Sequence, residues 1–443
     1  MSSPEDLEKA EKSQPLLVEV STDDLISPPV VPEGGNKRRT LFFLVYTICV
    51  LFYLHMLGRL WLGRVGDDQV QVDDNTLMQC HLDSVNFTEI TTSENAWDSP
   101  YRAHASTSLP VFSKELSFVA LGDLSAGTFQ ISQSLEVGAD ATVDITVLYD
   151  RPEVLYNVSI CHLHPSPGKR GLAFITSKWP GAKAEHKVEV NIHVRLPANA
   201  DPRSPLVIKE LRTYLPQYMH IIPDLSESVH FGRIHLTSHN RAGIEAQGLR
   251  ADDIKIEAGV GPITGTYNAT SVLMLDTSNS PIAVRANLLG GAGRVVHLYM
   301  KTSNGFIDSQ IGMYSNATNA TGGAFSVNAR TANSPLKLAF VDAPADSVLH
   351  ADAGTSNSPA QVRLHETFEG AFSLMASAFL RPVVEWKRDA EDPAGRGRER
   401  TVKVNAVKDS LVTGNVFWGE QEGMKRRGTV RVATSNSPVR LIL

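Results

Sequence analysis

The side chains in this chain best suited to hold a metal or move a proton are its fourteen histidines. His162 and His164 stand two apart, a spacing that puts both on one face of a strand, where they could share an ion. His230, His235 and His239 also invite a ligand reading. No Cys, Asp or Glu completes either set at a convincing spacing, so surface or partly buried histidines are expected, with no metal and no cofactor. The acidic pairs Asp67-Asp68, Asp73-Asp74 and Asp252-Asp253 are adjacent in sequence. Strand neighbours point to opposite faces, so loops suit these pairs better. Asp-x-Asp, the metal-holding motif of many sugar-nucleotide transferases, does not occur, and neither does Gly-x-Ser-x-Gly or a phosphate loop ending in Gly-Lys-Ser/Thr. No catalytic residue is assigned. A net charge of −6 over 443 residues gives no electrostatic case for binding nucleic acid.

A second group of residues reports on compartment. Leu41–Leu57 is almost wholly apolar, and Leu60-Trp61-Leu62 extends it if Arg59 reaches to the interface. A span needs about 20 such residues, so 41–62 is expected to be a transmembrane signal anchor in contact with the lipid bilayer. Lys37-Arg38-Arg39 before it places the amino terminus in the cytosol, and the carboxy-terminal region outside the cell or in a lumen. The sequons at Asn86, Asn157, Asn268, Asn316 and Asn319 all follow the span, as N-glycosylation there requires. Cys49 lies within the span, which leaves Cys80 and Cys161 as a disulfide candidate in an oxidising compartment, or as two separate thiols. Residues 1–40 read as a disordered cytosolic tail. In it Leu16 and Leu17 resemble a dileucine sorting signal, although Lys12 stands where an acidic residue is usual.

The elements that must carry these residues announce themselves through a repeat. Thr-Ser-Asn-Ser-Pro stands at Thr277–Pro281, Thr355–Pro359 and Thr434–Pro438, with Ala as second residue at Thr331–Pro335 and a degenerate copy at Thr302–Gly305. Apolar residues alternate on either side, as in Leu273 and Leu275 before the first copy and Ile282, Val284 and Ala286 after it. Period-two alternation marks strands with one buried face, and the pentapeptide is the turn between them. Asn279, Asn304, Asn333, Asn357 and Asn436 mark the corners; a further degenerate corner falls near residue 380. The spacing predicts an all-β β-solenoid or β-roll of roughly 25-residue units, with an antiparallel β-sandwich as the alternative. Residues 63–110 read as a stalk and 111–200 as a small sandwich-like β-unit. The β-repeat domain occupies 201–443, with a solvated loop over Lys387–Arg400.

The corners between alternating strands resemble a repeat family of bacterial and fungal proteins named as adhesins, over roughly Phe231–Leu443. Tail, span and β-repeat ectodomain together resemble uncharacterised fungal single-pass membrane proteins. The resemblance implies a non-enzymatic, membrane-anchored glycoprotein for adhesion, scaffolding or ligand display. A glycan or protein ligand would sit on the repeat face, which Arg285, Lys337, Arg363 and Arg440 would line. The alternative is a lumenal carbohydrate-active enzyme, whose carboxylates would have to cluster across adjacent turns.

Overall fold

A computed structural model describes residues 84–92, 101–122, 125–177, 188–291, 293–317, 319–387, 389–419 and 428–443. The tail, the span at 41–62, Leu16, Leu17 and Cys80 lie outside the described residues. Within the described part no helix is long and apolar enough to cross a membrane. It is nearly all β: 26 strands joined by hydrogen bonds, with one single-turn helix at Pro152–Leu155.

Two parallel ladders carry the chain. Ile282–Gly290 pairs in parallel with Ile307–Ser315, which pairs with Leu336–Asp342 and then Ala360–Arg363. Facing them, the second half of Ile263–Thr277 pairs with Val295–Lys301, then Ala324–Arg330 and Val348–Thr355. The chain passes from one ladder to the other at every corner, so each circuit adds one rung to both. The alternation read from sequence puts its apolar set inside. Leu273, Leu275, Ile282, Val284, Val327, Leu336, Val430 and Leu441 are all buried in one continuous core. Parallel pairing follows from this connection, because a strand that returns after a full circuit runs in its original direction.

The ladders do not begin at residue 201. Glu115–Leu121 pairs in parallel with Leu206–Tyr214, and Ser125–Val137 with Tyr218–Asp224. Hydrogen-bonded rungs therefore bridge the Pro-rich stretch 197–205. The stalk expected over 63–110 also loses its last part to the core. Tyr101–Pro110 lies antiparallel on Asp140–Tyr149 and buries Ala103, Ala105 and Leu109. Small residues at the inward positions gave this strand a weak apolar signal. The long strand Ile263–Thr277 passes from one ladder to the other between Ala269 and Val272, and near its start Gly265 lies opposite Ala246, where the register against Ile244–Ala258 shifts. The φ of Gly265 is +120°, in the region that disfavours side chains, and a Cβ there would meet the Ala246 carbonyl oxygen at 1.7 Å.

The rung order departs from the chain order at the carboxy-terminal end. Val348–Thr355 pairs next with Gly428–Thr434, and only then comes Gly370–Met375. The other ladder does the same, running Ala360–Arg363, Val439–Ile442, Val383–Glu385. The last rung of the chain is thus inserted between two rungs made earlier. Antiparallel strands close the ends: Leu411–Trp418 on Gly370–Met375, and Asp140–Tyr149 on Val188–Ala198. Such strands occupy edges that would otherwise pair with another chain.

One buried histidine belongs to this framework. His220 is fully buried; its Nδ1–H donates to the Tyr218 carbonyl at 3.1 Å, and its Nε2 accepts from Thr213 Oγ1 at 2.8 Å. Burial, only partly offset by the bond to Tyr218, lowers its pKa to about 4. Unfolding exposes a histidine that titrates near 6.5, so below that pH the unfolded chain takes up a proton that the folded chain refuses. Stability from His220 is complete above pH 6.5 and is lost as pH falls towards 4, by up to about 3 kcal/mol. Denaturant melts at several pH values should show a steeper acid decline in the wild type than in His220→Gln; equal slopes would reject this assignment. Deleting residues 428–443 should open the segment 365–419 to protease while rungs before residue 355 stay protected. An unchanged cleavage map would show that the inserted rung does not hold that segment.

Candidate functional site

The corners are the most regular feature of the surface. Asn304 Nδ2 donates to Asn279 Oδ1 at 2.6 Å, Asn333 to Asn304 at 2.7 Å, Asn357 to Asn333 at 2.7 Å and Asn436 to Asn357 at 2.7 Å. The backbone repeats with them. The amides of Ser303 and Asn304 share the Ser278 carbonyl, those of Ala332 and Asn333 share that of Ser303, and those of Ser356 and Asn357 share that of Ala332. Behind the asparagines Thr277, Thr302, Thr331, Thr355 and Thr434 form a buried column. Thr302 Oγ1 donates to the Ser280 carbonyl at 3.1 Å, and Thr331 Oγ1 to that of Gly305 at 2.9 Å. The hydroxyls of Thr277, Thr302, Thr331 and Thr355 each satisfy a carbonyl one rung away, and Thr434 that of Ser437 in its own corner, which lets a polar column stand in the core. The five asparagines named from sequence form one continuous amide ladder, with Asn436 directly after Asn357; the corner expected near residue 380 does not come between them.

Two of the four cations proposed for the repeat face are matched by neighbours. Lys337 Nζ lies 3.6 Å from Asp308 and Arg440 Nη2 lies 2.7 Å from Glu385, while Arg285 and Arg363 are exposed. On the other ladder Arg330 pairs with Asp352. The histidines separate. His162 and His164 stack at 6.4 Å, and His162 Nε2 meets Thr107 Oγ1 at 3.1 Å. His230 faces Asp252 at 3.4 Å, His235 bonds Glu257 at 2.7 Å, and His239 packs edge-on against Tyr214. Among the described residues no group of three or more His, Cys, Asp or Glu is placed to hold a metal. Asp252 and Asp253 are not in a loop. They belong to the strand Ile244–Ala258, where a register shift between Ala251 and Asp253 turns two consecutive side chains towards solvent.

The sequons fall into two settings. Asn86, Asn316 and Asn319 are exposed. Asn157 and Asn268 are half-buried, and both side-chain amides are engaged. Asn157 Nδ2 donates to the Glu153 carbonyl at 2.9 Å, and Asn268 Nδ2 to that of Leu249 at 3.0 Å. Asn268 also accepts from Asn287 at 2.8 Å, a short second amide stack. Cys161 is disulfide-bonded, to a partner outside the described residues.

The loop Lys387–Arg400 is pinned by ion pairs. Arg398 reaches Glu369 and Asp392, each at 3.0 Å, and Arg396 reaches Asp346. The Arg398 hydrogen bond holds the Asp392 carboxyl well below its ordinary range. Beside this loop, a groove of about 760 Å³ crosses the ends of four successive strands. Phe340, Arg363, His365, Glu366, Trp386 and Lys387 are among its walls. Sequence reading passed it over, because residues 340, 363, 386 and 442 are brought together only by the altered rung order.

No family model and no curated protein matches the chain. Among solved structures it is similar to a candidate cell adhesion protein of Clostridium sporogenes, at 9% identity over 76% of this chain and 98% of that one, with a TM-score of 0.17. A candidate adhesin of Bacteroides fragilis is similar at 8% identity over 80% of this chain and 100% of that one, with a TM-score of 0.22. Likenesses this remote carry no argument about function.

The amide ladder has a graded consequence. Asn333→Ala removes two side-chain bonds and Asn279→Ala one. At about 0.5–1.5 kcal/mol for each bond, the first should cost about twice the second in denaturant melts. Equal losses would mean that the corner amides contribute nothing as a ladder.

Proposed function

We propose that this chain is a membrane-anchored glycoprotein whose ectodomain is a β-solenoid for adhesion or ligand display, with no catalytic activity of its own. Residues 41–62 would hold it in the bilayer with the amino terminus cytosolic. The exposed sequons Asn86, Asn316 and Asn319 would carry the glycans. The observation that supports this reading best is the continuous amide ladder through the Asn279–Asn436 corners, which holds successive rungs in step there. Rungs locked at one spacing present a long rigid face, the geometry with which stacked repeats bind extended partners. Solvent-facing charges that pair within the face, as Arg330 does with Asp352 and Lys337 with Asp308, keep it soluble without a single-sign field.

A second reading rests on one pair of carboxylates. Glu257 and Asp276 are register partners on adjacent rungs, at a strand spacing of about 4.8 Å. Burial raises the Asp276 pKa, against the pull of Lys301. Burial also pushes Glu257 up, but the hydrogen bond from His235 and the charge of Lys255 hold it at about 2. One carboxyl pushed up beside one held down is the direction of splitting used by an acid–base pair in glycoside hydrolysis. Close partners at Glu257 argue for a structural role.

The two readings separate in one experiment. Full-length protein in lipid nanodiscs should hold glycan-coated or protein-coated beads and release no soluble product. Glycan turnover that disappears in Asp276→Asn or Glu257→Gln would replace display with enzymology. Beads that are never held, with no turnover, would reject both.

A further inference from the structure

The groove at the strand ends differs from the rest of the surface. Trp386 projects into it with 40% of its surface exposed, although the other described tryptophan, Trp418, is buried. Arg363 and Lys387 supply donors from opposite walls of the groove. Glu366 supplies acceptors, and its backbone is fixed where the Trp418 indole N–H donates to its carbonyl at 3.0 Å. The Thr367 amide donates to His365 Nδ1 at 3.3 Å, and burial lowers the His365 pKa, so the neutral ring offers its Nε2–H as a donor.

We propose that this groove binds a segment of an uncharged glycan chain. The inference rests on the display reading above and names its ligand class. A pyranose presents an apolar C–H face and a rim of hydroxyls, each both donor and acceptor. Trp386 matches the face; Arg363 and Lys387 match hydroxyl acceptors, and Glu366 matches hydroxyl donors. A volume of about 760 Å³ lies within the ordinary range of small-ligand sites. A peptide added as a strand fits poorly, because the floor has spent its backbone groups. Leu364 N–H donates to the Ile442 carbonyl, and Leu443 N–H to that of Glu385, each at 2.8 Å. A polyanion fits poorly as well, since Glu366 and Glu385 stand among the cations.

The test uses full-length protein in detergent micelles and three neutral tetrasaccharides: a β-1,3-glucan, a β-1,4-linked N-acetylglucosamine oligomer and an α-mannan. Binding is read by calorimetry. At least one should bind, with affinity roughly tenfold weaker, about 1.4 kcal/mol, in Trp386→Ala and in Glu366→Gln, and unchanged in Arg233→Ala on the far ladder. Trp386 is an exposed side chain, so its loss leaves the core intact, and unchanged melting of each variant confirms it. If the wild type binds and Trp386→Ala binds equally, the groove is not the site, while display through another surface stands. If the protein holds cells or beads but none of the three sugars, the glycan class is wrong and the display reading survives. If nothing is held at all, both fall.

Discussion

Everything in this molecule depends on keeping successive rungs in one register. A parallel ladder allows a slip of two residues without disturbing its apolar faces, since the side-chain period is two. The corners remove that freedom. An asparagine that both donates to one neighbour and accepts from the next can do so only if the same residue stands at the same place in each rung. The Thr column inside adds a second lock, because a displaced rung would bury unsatisfied hydroxyls and carbonyls together. Amides outside and hydroxyls inside fix the same register from two sides.

That constraint explains which parts of the fold were legible. Corner residues must repeat, so the sequence displays them; inward positions need only be apolar and alternate. Earlier rungs meet the same geometry with other residues. The corner preceding Asn279 reads Ala258-Gly259-Val260-Gly261-Pro262, yet the Gly259 amide still bonds the Ser238 carbonyl, and the Ser278 amide that of Gly259. With no amide ladder to preserve, nothing forced those residues to match, and the rungs before residue 201 read as a separate unit. Asp252 and Asp253 were misread for a related reason. A register shift breaks the alternation rule from which their opposite orientation was inferred.

Rung order is a different kind of information. Residues 370–385 and 428–443 each carry an acceptable rung pattern, and periodicity does not say which docks first on Val348–Thr355. The corner side chain decides. Asn436 continues the amide ladder from Asn357, whereas Leu380 has no amide to offer. Charge points the same way, since Arg440 in the inserted rung meets Glu385 in the rung beyond it. The chain therefore places its best-matched segment next in the stack even though it is made last.

The same permutation builds the groove. Its walls come from the ends of Leu336–Asp342, Ala360–Arg363, Val439–Ile442 and Val383–Glu385, in that spatial order. Had residues 383–387 followed 363 directly, Trp386 would stand one rung nearer to Arg363, and Ile442 would not separate them. Inserting a rung that contributes Ile442 and Leu443 lays an apolar floor between two polar walls. A device that completes the stack thus also spaces an aromatic platform and its flanking charges across the strand ends. The interior of the repeat needs uniformity from rung to rung, and a recognition site needs difference. Here the difference is confined to the end where the rung order changes, and the uniform corners leave it undisturbed.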